Sequence, residues 1–170
     1  MNISNKGKVS FSWWAGIIAE YGTRYDTGNQ VVTNANSWYV VHFSHEADAY
    51  GMYLWAWGTG LYVSSTGDYE FFVSAIADTD TVNKHVYVWF RKNGVDVPDS
   101  NTIVQLPSAS TETVVAVSII IDMNAWDYMQ IMYGSDDNGS QLVYTAAWVS
   151  PTRPACPSII VTGKKIWVER

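Results

Sequence analysis

Val9, Phe11 and Trp13 alternate with Lys8, Ser10 and Ser12, the two-residue period of a strand with one buried face. From Trp38 onward apolar runs recur at short intervals, at 39–43, 52–57, 61–64, 69–77, 86–91, 95–97, 113–122, 128–133, 141–147 and 158–168. Clusters rich in Gly, Asn and Asp separate them, as at Gly58-Thr59-Gly60, Thr66-Gly67-Asp68 and the acidic stretch 135–140. Asn93-Gly94, between two of the runs, suits the positive backbone angles of a tight hairpin turn. No ten-residue window carries a capped 3.6-residue apolar period, so the pattern predicts about ten strands in two packed antiparallel sheets. The stretch from Glu20 to Ser37 holds Gly22, Asp26, Gly28, Asn29, Asn34 and Asn36. Such a density of turn-formers predicts an arm or long connection with only a short strand at 30–33.

Composition sharpens the class. The chain has 170 residues, 48% of them hydrophobic, with 9 Trp, 11 Tyr and 5 Phe. This length suits one domain, and the aromatic and β-branched content favours pleated strands. The single cysteine, Cys156, cannot form an intrachain disulfide. The N-terminus lacks the apolar run of a signal peptide, and no stretch approaches a membrane-spanning length, so synthesis in a cytoplasm and no membrane partner are expected. A net charge of −6 argues against direct binding of nucleic acid, which requires a basic surface. The charge is segregated. Residues 1–24 carry Lys6, Lys8 and Arg24 against Glu20, and residues 153–170 carry Arg153, Lys164, Lys165 and Arg170 against Glu169. The ends are thus +2 and +3 and the middle −11, which reads either as short ends that drew a few lysines or as a basic docking end with an acidic outward end.

Candidate chemistry changes this picture little. His42, His45, Glu46 and Asp48 form the densest set of potential ligands, but their order does not place two histidines on one helix face. A polar strand edge followed by a loop beginning at His45 accounts for them. The Asp136-Asp137-Asn138-Gly139 stretch lacks the spacing and closing Glu of a calcium loop and reads as a solvated hairpin turn. Asp78 and Asp80 read as ordinary loop acids, and Cys156 as a small packing residue. No ordered nucleophile, P-loop or triad pattern appears, so no enzyme activity, cofactor or metal is expected. The tryptophans stand apart. Most are expected in the core, with a surplus for a subunit interface or for a platform on which sugars stack.

Three motifs occur in order: Gly67–Phe71, Val88–Val97 and Asp127-Tyr128 before a strand. They resemble the trimeric jelly rolls of the tumour-necrosis-factor and complement-head superfamily. The stretches Trp89–Ser100, Asp127–Met132 and Ser150–Thr162 are similar to segments of phage virion proteins of that type, and the likeness spans residues 38–163. It implies a jelly-roll domain over residues 38–170; residues 1–37 match none of it, and their own pattern gives an N-terminal strand and extended arm, in one compact unit with the rest. It also implies a homotrimer, with Tyr69 and Phe71 on the strand lining the threefold axis. The expected function is a capsid decoration protein on the virion surface, on the phage head in preference to the tail, bound to the major capsid protein or another virion protein. Lys6, Lys8, Arg24, Lys164 and Lys165 are the expected docking residues. The alternative is a fibre-tip domain whose aromatic residues hold a host glycan.

Overall fold

The computed structural model describes residues 19–166. The strand predicted around Val9–Trp13, together with Lys6, Lys8, Trp13, Trp14 and Trp167, lies outside the described residues. Sixteen strands run through the rest: β1 Tyr21–Asp26, β2 Gln30–Val31, β3 Ser37–Val40, β4 His45–Tyr50, β5 Met52–Leu54, β6 Leu61–Val63, β7 Gly67–Asp78 and β8 Lys84–Lys92. They continue with β9 Val95–Asp96, β10 Thr102–Leu106, β11 Thr113–Met123, β12 Tyr128–Ser135, β13 Gln141–Leu142, β14 Trp148–Val149, β15 Thr152–Arg153 and β16 Ile159–Ile166. Several are two- or three-residue pieces, which is why they outnumber the predicted ten.

All pairings are antiparallel. The first sheet runs β2-β13-β7-β16-β1-β4, with β11 on the other edge of β7. The second runs β10-β8-β12-β6-β5, with β3 joined to β12 and β9 to β8. Strand parity makes the sandwich. Tyr69, Phe71, Val73, Ala75 and Ala77 on β7, with Ile159 and Val161 on β16, face Val86, Val88 and Phe90 on β8 and Met129, Ile131 and Tyr133 on β12 in one buried cluster. Each fully buried Phe or Ile contributes about 1.5–3 kcal/mol, so this shared core holds the two sheets face to face.

The β8–β9 hairpin forms where the sequence places it. Lys92 pairs with Val95, leaving Asn93 and Gly94 as a two-residue loop with φ of 49° and 79°. Both angles fall in the left-handed region that a type I′ turn requires.

The expected arm at 20–37 is corrected. Tyr21–Asp26 is an inner strand, bonded to β16 on one side and to β4 on the other. Its inward positions are Gly22, Arg24 and Asp26, so it carries no apolar alternation to read. His45 likewise opens β4 instead of a loop.

Candidate functional site

The sandwich exposes two broad outer faces with different chemistry. On the first sheet, the residues opposite in parity to the core include Phe72 on β7, Val114 and Ile120 on β11, and Ile160 on β16. They are exposed by 46%, 63%, 66% and 36%. Cross-strand register interleaves them with polar and small residues: Phe72 pairs with Ser118 and Thr162, Ser74 with Ala116 and Ile160, and Ile120 with Glu70, so Ile120 and Ile160 lie diagonal to Phe72, while Val114 lies opposite Ile76. The charges flanking Phe72 are matched, because Lys164 Nζ lies 2.7 Å from Glu70 Oε2. Around Phe72, Thr162 and this ion pair lies a shallow depression of about 290 Å³.

The second sheet carries an aromatic shelf. Tyr87 and Trp89 point outward from β8, between the inward Val86, Val88 and Phe90. Trp38 on β3 reaches them across Gly134 of β12, which pairs with Trp38 on one side and Tyr87 on the other. A Cβ at residue 134 would lie 2.3 Å from Trp38 Cε3, so only glycine lets the indole settle there. The Trp38 ring stands at 84° to both Tyr87 and Trp89, with centroids 5.7 and 5.3 Å away. Beside these rings the chain rim supplies Asp96, Asp99 and Asn101 around a depression of about 320 Å³. Asp96 Oδ1 accepts from Arg91 Nε at 2.7 Å and from Trp89 Nε1 at 2.9 Å. Those bonds hold the Asp96 carboxyl below the usual carboxylate range.

The residues expected in a trimer interface are corrected. Tyr69 and Phe71 are 0% exposed within one chain and face the opposite sheet, so they offer no surface to a partner. The Tyr69 hydroxyl donates to Glu20 Oε2 at 2.6 Å; burial first, then this bond, raise its pKa. Phe72, one position on, is the residue that faces outward.

The expected docking cations do not gather. Arg24 is fully buried, with Nη2 2.5 Å from Glu46 Oε2 and 3.1 Å from the Met52 carbonyl. Burial lowers its pKa, against the opposing pull of Glu46. Lys164 sits on the outer sheet face with Glu70, while Lys165 points to the other side, where Nζ lies 2.5 Å from Ser65 Oγ. Lys6 and Lys8 lie outside the described residues.

The His42–Asp48 group is dispersed. His45 stacks on Tyr25 at 5.0 Å, Glu46 holds Arg24, and Asp48 accepts from Tyr21. Among the described residues no three His, Cys, Asp or Glu side chains gather as a metal site would require. The stretch after Ser135 is not a solvated turn. His85 N donates to Asp136 at 2.8 Å, and Asp137, 7% exposed, accepts from Thr79 Oγ1 at 3.0 Å. Cys156 is half-buried, and its backbone exchanges two bonds with Thr145. The tryptophans depart furthest from expectation: Trp38, Trp57, Trp126 and Trp148 are exposed, and none of the six described is in the buried core.

Two antiparallel sheets in this order, with the first described strand beside the last, form a jelly roll of the tumour-necrosis-factor type. Solved structures of murine APRIL at pH 8.5 and at pH 5.0 are similar to the chain with a TM-score of 0.55 each. They are 12% and 10% identical to it, cover 88% of this chain, and are themselves covered in full. No family model and no curated protein matches the sequence.

Proposed function

We propose that this chain is a non-enzymatic structural protein of a phage particle, assembled as a homotrimer through the outer face of its first sheet and serving as a decoration protein on the head. The observation that carries the assembly is the cluster of exposed Phe72, Val114, Ile120 and Ile160 on one sheet face, its flanking charges already paired. Single exposed apolar residues need no explanation, but Ile120 and Ile160 both flank Phe72 diagonally on one sheet face, and such a grouping supports an interaction surface. A second copy of the chain fits it, since residues close to a threefold axis meet their own symmetry mates on the neighbouring subunits. The virion assignment is supported by the three ordered motifs at Trp89–Ser100, Asp127–Met132 and Ser150–Thr162. The non-enzymatic reading is supported by the acids of the candidate clusters, which are engaged by structural partners at Arg24, Tyr21, His85 and Thr79.

Light scattering at micromolar concentration should give three times the chain mass for the wild type and a smaller species for Phe72→Glu, with unchanged near-ultraviolet dichroism. A wild type of monomer mass refutes the assembly. Gel densitometry of purified virions tests the location: hundreds of copies agree with decoration of the head. A few copies would assign the chain to a fibre tip, the reading that the aromatic shelf favours.

A further inference from the structure

We infer that the shelf formed by Trp38, Tyr87 and Trp89 with Asp96 and Asp99 binds a neutral pyranose of a glycan. Trp38 is 51% exposed although one side of its ring is held over Gly134, so its free surface is a fixed apolar plane. An exposed, preorganised indole loses little conformational freedom when a flat ligand covers it. A pyranose has such a flat face in its axial C–H groups, and its hydroxyls project sideways from the same ring. The shelf matches that division. Its rim offers acceptors: Asp99 is exposed and carries no hydrogen bond among the described residues, and Asp96 uses only Oδ1 for Arg91 and Trp89. Sugar hydroxyls donate to such carboxylates in short charge-assisted bonds. Asn101 adds an amide that both donates and accepts. The depression of about 320 Å³ lies at the lower end of ordinary small-ligand sites, which suits one or two sugar rings.

The same geometry selects against other guests. Ring centroids 5.3 and 5.7 Å apart are in edge contact, so no gap remains between them for a caged ammonium group. Asp96 is already paired with Arg91, which reduces the pull on a cationic peptide. The remaining free carboxylate of Asp99 repels sulfated and sialylated sugars. The shelf lies on the sheet opposite Phe72, so binding here is independent of assembly through the first sheet and of the location of the chain on a particle.

The test is a printed array of neutral, sulfated and sialylated glycans probed with the full chain, followed by NMR titration of the indole N–H signals with the best-retained glycan. Retention of neutral glycans is expected, falling about tenfold or more in Trp38→Ala and several-fold in Asp99→Asn. Asp99→Asn, on an exposed turn, keeps the test valid if the change at residue 38 disturbs folding. Retention by Trp38→Ala equal to wild type overturns the inference. So do retention of acidic glycans alone, no retention of any glycan, and hexalysine shifting the same indole signals at lower concentration than the sugar.

Discussion

Asp137→Ala removes the end point of a buried hydrogen-bond relay. Ser135 Oγ donates to Ser140 Oγ at 2.8 Å, Ser140 Oγ to Thr79 Oγ1 at 3.2 Å, and Thr79 Oγ1 to Asp137 Oδ2 at 3.0 Å. The Asp137 N–H returns to Ser135 Oγ at 3.1 Å and closes the ring, while Lys84 Nζ stands 3.8 Å from the other carboxylate oxygen. Thr79, Ser135 and Ser140 are all 0% exposed. Without the carboxylate, the hydroxyls can turn the other way, Thr79 donating to Ser140, Ser140 to Ser135 and Ser135 to the His85 carbonyl 2.7 Å away, so the loss is the bond to a charged group. A bond to a charged group is worth about 1.5–3 kcal/mol, so the variant should lose about that much. In a domain of this size that lowers Tm by roughly 3–12 °C. Urea unfolding followed by tryptophan fluorescence, with calorimetry for Tm, measures it. Asp80→Ala, at an exposed neighbour, should stay within about 0.5 kcal/mol of wild type. Thr79→Val combined with Asp137→Ala should cost at least about 1 kcal/mol less than the sum of the two, because both cut the same relay. An Asp137→Ala protein as stable as Asp80→Ala refutes the reasoning.

Glu46→Gln leaves the buried Arg24 guanidinium without its counter-charge and should cost about 1–3 kcal/mol in urea unfolding, moderated by the exposure of Glu46. The carboxyls of Asp96, Asp127 and Asp136 all titrate below their ordinary value of 3.8. Bonds from Arg91 and Trp89 hold down Asp96, and at the other two, bonds from Asn124, Asn93 and Lys92 and from His85 outweigh burial, which alone would raise them. Depressed folded values mean that stability from these groups is full above about pH 5 and drains away as pH falls through the unfolded and then the folded values, so urea midpoints should decline from about pH 5 downward and more steeply below about pH 4. Gly134→Ala should displace the Trp38 ring and β3 with it, since the new Cβ would also meet the Ser37 carbonyl at 2.6 Å; a red-shifted tryptophan emission and a loss of about 1–3 kcal/mol are expected.

The long strands were legible because their buried parity is apolar: residues 69–77, 86–91 and 113–122 appear within β7, β8 and β11 almost end to end. Strand β1 was not, because its inward positions hold Gly22, Arg24 and Asp26, whose burial depends on Met52 and Glu46 far along the chain and on Gln30 across the next turn. Strand β4 is an edge of mostly exposed, charged and small residues and has no alternation to detect. Alternation divides a strand into two faces without saying which one meets the other sheet. The resemblance places Tyr69 and Phe71 at the threefold axis, although they share the apolar parity of Val73, Ala75 and Ala77, and it is Phe72 that faces outward. The aromatic shelf was legible only as a surplus of tryptophan, since Trp38 and Trp89 meet through pairings to β12 that link distant segments.

The two outer faces of the sandwich point in opposite directions, and this has a consequence for ligand strength. A trimer joined through the Phe72 face presents three Trp38 shelves on its outside, each on a rigid sheet at a fixed separation. Three individually weak contacts to a repetitive surface then act together, because the first raises the effective concentration of the second to the millimolar range. The gain can reach about 10²–10⁴ without any new contact, and it vanishes when the sites cannot be reached together. On a surface densely covered with glycan, avidity of this kind would give slow release from sites that exchange quickly one at a time.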